Sequence, residues 1–391
     1  MNTQEIVRIV DNIARDKNLD RESIFLDLEA AMVSGAKKHY GDPDCDVVVN
    51  IDRNNGQITA YKDNAPIDIK ELGRIPAQTV KQVMIQKIKA DERDSIYTEY
   101  AERRGELITG TITRKERGSA VISLEGRAEA YLPKTEQIPG ETHHTGERLR
   151  AVIADVREDT SQVKIKLSRT HRDFIRRLFE AEIPEIAEGI VEIRALSREA
   201  GYRTKIAVGS NDDRVDPVGA CVGVRGSRIK NIVDELSGEK IDIVPWSDSS
   251  QDLITNAIKP AECTEIALCF ELGRATAVVP ESQLSLAIGK HGQNVRLAAR
   301  LTGWDIDILT PDEYNQEVEE LTEIYKEFST GDEHLIDKFL ALGLLTVHDI
   351  EEVGPQPLID ELGLDQDLAQ RLVDLAIETL KAEKSGSESA E

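Results

Sequence analysis

Two pairs of glycines in this 391-residue chain are spaced to hold a phosphate. One is Gly223-Val224-Arg225-Gly226; the other is Gly289-Lys290-His291-Gly292. Each interrupts an apolar helical pattern, runs straight into a second helical segment, and is followed by an Ile-Asp-Ile strand. Between two helices, glycine tolerates turns that a bulky Cβ would forbid. The helix expected to start near Ser227 or Gln293 offers unpaired N–H groups and the positive end of its dipole. A phosphate reaches that end only where side chains are absent. The middle positions are expected to face solvent, and each loop carries one cation there, Arg225 in the first and Lys290 in the second. Arg228, Lys230, Arg296 and Arg300 follow on the next helices. Together these charges would neutralise phosphates and make affinity fall with salt. Any one Lys or Arg alone is more commonly a solvated helix face.

A lone Gly-x-x-Gly says little, because the chain's 26 Gly supply roughly two such tetrapeptides by chance. The flanking elements say more. Residues 190–196 and 203–208 read as paired strands around Ala200-Gly201; 265–270 and 275–279 do the same around Leu272-Gly273. Each pair precedes a helix, the loop, a second helix and a closing strand, and the loops start 66 positions apart, at 223 and 289. The repeat is one whole small domain. Its pattern is that of the KH fold, which clamps single-stranded nucleic acid.

The net charge of −24 looks wrong for an RNA binder. Its distribution explains it: residues 311–391 hold 22 Asp or Glu against 5 Lys or Arg, leaving 51 against 44 in residues 1–310. The acidity sits in what reads as a separable tail, expected to be a solubilising segment, a decoy that competes with RNA, or a docking surface for a basic partner. Bases cluster locally in RTHRDFIRR, residues 169–177. Aromatics are 4% of the chain, so the cores must be aliphatic. No apolar run is long enough to cross a bilayer, and the N-terminal residues lack a secretory cleavage pattern. Cys45, Cys221, Cys263 and Cys269 match neither a disulfide framework nor a zinc site and are expected to be buried, reduced thiols. No catalytic residue, metal site or cofactor is expected.

Ahead of the repeats, residues 2–16 place Ile6, Ile9, Val10 and Ile13 on one helical face. A helix from about Arg21 to His39 turns Ile24, Phe25, Leu28 and Met32 inward. A hairpin follows around Asn54-Asn55-Gly56, then a long helix after Pro76 carrying Val80, Val83, Met84, Ile88 and Ile96. From 105 to 169 the pattern becomes five short strands with a turn at Gly118, suggesting a small OB barrel. Tyr131 is its one candidate stacking aromatic; Arg114, Lys115, Arg117, Lys164 and Lys166 could follow a nucleic-acid backbone. His143-His144 reads as a solvated loop. Residues 317–328 read as a connector, 332–382 as one helical domain with Leu-Gly-Leu at 342–344 and 362–364, and SGSESAE as a disordered end.

The order of modules, with the strings DPVGACVGVRGSRI, GEKIDIVPW, LAIGKHGQNVRLAARLTGW and LSRTHRDFIRRLFEAEIPEI, resembles the NusA family of bacterial transcription elongation and termination factors. The resemblance is close over residues 1–310. It implies an α+β multidomain chain: an α/β N-terminal head, an S1-type OB β-barrel, two tandem type II KH domains and a C-terminal acidic all-α helical domain. The expected boundaries are 1–104 for the RNA-polymerase-binding head and 105–170 for the barrel. The KH domains take 183–248 and 249–310, a linker 311–331, the helical domain 332–383 and a disordered tail 384–391. Residue by residue, the family's RNA-binding loops carry over to Gly223, Arg225, Gly226, Ser227 and Arg228, and to Gly289, Lys290, Gly292, Gln293, Asn294, Arg296 and Leu297. Val224 and His291 are not expected to set sequence specificity. The tail resembles one copy of an acidic repeat that some members carry.

The resemblance implies a cytoplasmic, monomeric, non-catalytic factor with RNA polymerase, nascent single-stranded RNA and other Nus-type antitermination factors as partners, and no membrane. It would modulate pausing, intrinsic termination and antitermination. Two other classes use similar modules: enzymes of RNA decay, which need a catalytic body with clustered acids that residues 1–100 are too short to supply, and ribosome-associated regulators.

Overall fold

The structure, a computed structural model, describes residues 3–17, 20–42, 45–63, 65–67, 77–159, 162–329 and 334–388. It forms two compact units, residues 1–137 with 143–171, and 138–142 with 172–391.

In the first unit, α1 (Thr3–Lys17) and α2 (Arg21–Tyr40) pack Ile6, Val10, Ile24 and Phe25 with Ile51 of the hairpin. Asp20 fixes the start of α2 by accepting from the Ser23 amide; Gly41, left-handed, ends it behind Lys37, Lys38 and His39. Strands β1 (Val47–Ile51), β2 (Ile58–Lys62) and β3 (Ala65–Pro66) make a meander, with Val47, Val49 and Ile51 alternating inward. The side chains of Ile9, Ile13, Val80, Val83 and Met84, assigned to helical faces above, lie outside the described residues. Helix α3 (Ala77–Glu102) contributes to the barrel: Tyr100 lies in its core and Ile96 and Tyr97 pack against it.

The barrel is made of β4 (Leu107–Glu116), β5 (Ser119–Leu124), β6 (Ala128–Leu132), β7 (Arg148–Glu158) and β8 (Val163–Ser168). They close in the order β4-β5-β6-β8-β7, with β6 and β8 parallel and the other pairs antiparallel. Apart from Tyr100 its buried core is aliphatic, as the low aromatic content requires.

The second unit begins with α4 (Arg172–Glu182) and α5 (Pro184–Ala187). Helix α4 buries Phe174, Ile175, Leu178 and Phe179. It lies ahead of 183, the expected start of the first KH domain. The local cluster of bases, residues 169–177, lies on and just before this amphipathic helix: Arg172, Arg176 and Arg177 are exposed, and Arg169 is buried, donating to the Arg150 carbonyl.

Strand β9 (Val191–Glu199) pairs antiparallel with β10 (Arg203–Ser210), and β11 (Lys240–Pro245) lies parallel to β10. A parallel neighbour needs a crossover, here supplied by α6 (Pro217–Val222), the first glycine loop and α7 (Ser227–Glu235). The second repeat follows α8 (Ser250–Ile258) with β12 (Glu265–Cys269), β13 (Arg274–Val278), α9 (Leu284–Ile288), the second loop, α10 (Gln293–Thr302) and β14 (Asp305–Leu309). Strand β14 is again parallel to β13. The repeats share one core: Ala207 and Val244 of the first pack with Leu253, Ile254, Ala257, Ile258, Ala298 and Leu301. Lys205, fully buried, donates to Asp242 at 3.0 Å and to the Lys259 carbonyl at 3.1 Å. Burial pushes its ammonium pKa down, against the pull of Asp242.

The acidic region departs from expectation. Within the expected linker, the described residues 311–329 are helical: α11 (Pro311–Ile324) opens with a capping box between Thr310 and Glu313, and α12 (Lys326–Ser329) follows. Leu321 and Tyr325 lie in the helical core with residues of α13 (Leu335–Ala341), α14 (Val347–Val353), α15 (Pro355–Asp360) and α16 (Gln366–Glu388). Helix α16 carries through 385–388, residues expected to be disordered. Extending an existing helix is cheap once it is nucleated, and no proline stops this one. Nor is the segment a separable tail. Cys269 of β12 belongs to the helical core, Arg274 pairs with Asp349 and, at 3.1 Å, with Glu352, and a Cβ on Gly343 would lie 2.5 Å from the Leu268 carbonyl. A charge count sees the outward acids and misses the apolar stripe beneath them.

This docking changes what truncation should do. The helical domain meets the β12–β13 turn, near the C-terminal end of α10; the glycine loop lies at its other end, about 15 Å away for ten residues. A chain ending at 310 is therefore expected to bind RNA more tightly only at low salt, with no gain at 0.15 M, where the screening length is about 8 Å. Titrations at both salts check this; a gain that survives 0.15 M would mean direct occlusion.

Candidate nucleic-acid interface

The two loops have the same backbone to within a few degrees. Gly223 lies at φ 70, ψ 178, Arg225 at 54, 29 and Gly226 at 75, 16. Gly289, His291 and Gly292 lie at 75, 173, at 54, 33 and at 72, 16. The first glycine of each pair is required twice over. Its φ is positive, and a Cβ there would sit 2.8 Å from Arg228 Cγ in one loop and 2.8 Å from the Asn294 amide nitrogen in the other. Neither α7 nor α10 has a side-chain cap at its start. Their N-terminal ends keep the amide-rich, positive character that attracts an anion.

The middle positions are exposed, Val224 at 82%, with Arg225, Lys290 and His291 exposed beside their glycines. The cations are not equivalent: Arg225 occupies the second middle position and Lys290 the first. Ser227, Lys230 and Arg300 are exposed as well.

Several expected contacts have other work. Asn294 is fully buried and donates to the carbonyls of Ile258 and Ala287 at 2.8 and 3.0 Å, so it shapes the loop from beneath and cannot touch RNA. Leu297 is core. Arg228 is half-buried, paired with Glu185 at 2.9 Å and donating to the Ala220 carbonyl at 2.7 Å. Gln293 and Arg296 both donate to Glu199 of β9, each at 2.7 Å, and Arg296 reaches the His291 carbonyl at 3.4 Å. The Arg296 hydrogen bond, with help from Gln293, holds the Glu199 carboxyl below its usual range. A motif gives residue types and spacing, and a side chain's inward turn at the fifth position after the first glycine is invisible to it.

Two exposed apolar residues just before the second loop, Leu286 at 51% and Ile288 at 37%, were missed. Their signal was present: LSLAI packs three large apolar residues into five, and a helix that short has room for about one inward face.

On the barrel, Arg114 is paired with Glu116 and Glu129, Lys164 with Asp159 and Lys166 with Glu136, leaving Lys115 and Arg117 exposed. A cleft of about 1040 Å³ is lined there by Arg114, Arg117, Tyr131 and Lys164, with Lys89 and Arg93 of α3. His143 is buried and His144 exposed, where both were expected in solvent. Cys45, Cys221 and Cys269 are buried and Cys263 half-buried; burial pushes the Cys221 thiol up to about 12, which removes thiolate reactivity at neutral pH. Among the described residues no group of His, Cys, Asp or Glu is arranged to hold a metal ion, and no helix is long and apolar enough to cross a membrane.

Four families match in series: the NusA N-terminal domain over residues 5–68, the S1 RNA binding domain over 102–168, and the NusA-like first and second KH domains over 169–246 and 250–316. The transcription termination/antitermination protein NusA of Halalkalibacterium halodurans is 38% identical, aligned over 79% of this chain and 89% of that one. Its counterpart in Rickettsia conorii is 34% identical over 97% and 83%, and that of Mycobacterium bovis 41% identical over 75% and 89%. With the paired loops, the barrel and the head in the same order, the chain belongs to the NusA family of transcription termination/antitermination proteins.

Proposed function

We propose that this chain is an RNA-binding transcription factor that modulates pausing, intrinsic termination and antitermination by holding the nascent transcript against RNA polymerase. One observation carries the RNA half: two loops of matching backbone, on two domains that share a single core, present exposed cations beside uncapped helix starts. Gly223, Arg225, Gly226 and Ser227 form one clamp, and Gly289, Lys290 and Gly292 the other. Arg228 and Asn294 support the loops from below. The barrel adds a weaker electrostatic track through Lys115 and Arg117. The head, residues 1–104, docks on polymerase. The barrel takes about 105–168, the first KH domain 172–248, the second 249–310, and the helical domain everything described after 310.

The chain works by binding, without catalysis or cofactor, as a monomer in the cytoplasm; other antitermination factors join it there. Crosslinking the full chain in a stalled elongation complex, with RNA and subunit contacts both mapped, tests this. Crosslinks from the loops to the emerging transcript and from residues 1–104 to polymerase are the expected result. Copurification with ribosomes in place of polymerase, or metal-dependent shortening of the RNA, would overturn it.

A further inference from the structure

Resting on that reading of the loops, we infer that Glu199 of the first KH domain is a built-in competitor for RNA phosphate at the second clamp. It is the last residue of β9, and both of its carboxylate oxygens are engaged by α10, the helix that the second loop starts. One accepts from Gln293 Nε2 and the other from Arg296 Nε, both at 2.7 Å. Residues 293 and 296 lie three apart, on one face of the first turn after Gly292. Arg300, one further turn along the same face, also pulls on this carboxylate. The Arg296 side chain simultaneously reaches back to the His291 carbonyl, so its guanidinium lies between the loop and Glu199.

An anion is thus already seated against the arginine nearest the mouth of the clamp. The first clamp is arranged differently: Lys230, 66 positions before Arg296, is exposed, and Arg228 is held by Glu185 of its own domain, whereas Arg296 is held by an acid of the neighbouring one. A transcript phosphate reaching the second loop must take Arg296 from Glu199 or leave it unused. The pair is partly exposed, Arg296 at 44% and Glu199 at 21%, so exchange needs no unfolding. Glu199 therefore lowers both the affinity and the salt sensitivity that the second clamp would have without it, and it does so from the neighbouring domain.

Glu199→Gln keeps the shape and removes the charge. Binding of the full chain to a labelled 16-nucleotide single-stranded RNA pool is measured by anisotropy between 50 and 200 mM salt. Freeing one arginine for phosphate should steepen the slope of log K against log salt by about 0.7, a gain in affinity that shrinks about 2.6-fold over that range. In an Arg296→Gln background the same substitution should change the slope by nothing. An unaltered slope in Glu199→Gln, an equal gain with and without Arg296, or a loss of affinity as for a broken strut would each overturn the proposal. Failure of the unaltered chain to bind the pool at 50 mM salt would instead overturn the RNA reading itself, and this proposal with it.

Discussion

Replacing Val224, Arg225, Lys290 and His291 together by Asp is expected to weaken single-stranded RNA binding by at least about 100-fold, since every lost phosphate contact also lowers affinity through retained counterions. The substitution puts carboxylates at the mouths of both clamps and removes the two loop cations. It should leave the fold alone. All four side chains are exposed, and Asp is among the residues that adopt the left-handed conformation seen at Arg225 and His291. Anisotropy at 0.15 M salt measures the first effect. A thermal melt measures the second, with a shift of no more than about 2 °C expected for a change well under 1 kcal/mol. Binding within tenfold of the unaltered chain, with the melt unchanged, would place the grip on the barrel.

A second large effect is expected at Gly289. Alanine there should cost about 3 kcal/mol, because φ 75, ψ 173 is open essentially to glycine alone and the new Cβ would overlap the Asn294 backbone at 2.8 Å. Gly292 makes the informative comparison. It is also left-handed, but a Cβ there meets nothing within 4 Å, so Gly292→Ala should cost only about 1–2 kcal/mol. Urea denaturation of the full chain, read with hydrogen exchange across α10 and β14, separates the two. Equal costs would mean that dihedral preference alone selects the first glycine. A larger cost at Gly289 means the loop is braced from below by Asn294.

Much of this fold is legible in the sequence because its signals are local. Every strand of the barrel and of both KH sheets falls within a few residues of the alternating segment that predicts it, and the five-strand barrel closes as expected. The loop positions are legible for the same reason: Gly, cation and helix start are neighbours in the chain. What escapes is set by contacts between distant residues. Asn294 looks like a polar loop residue, and only the approach of the Ile258 carbonyl shows that it points inward. Gln293 and Arg296 look like free contacts until Glu199, almost a hundred positions earlier, is found against them. The docked acidic domain escapes because its few anchors, Gly343 on the Leu268 backbone and Asp349 on Arg274, are scattered through a region whose average composition says only that it is charged.

Those anchors also complete a series. The hairpin end of the first KH domain, at Glu199, rests on the second; the hairpin end of the second, at Leu268, Cys269 and Arg274, rests on the helical domain. Each module thus hands the same edge to its successor, as units of a solenoid do, and the helical domain presents an outer surface rich in acid. Cut free of the helical domain, the second module would bare the underside of Cys269 and Leu272, an unsealed end on which another molecule of the same protein could begin to stack.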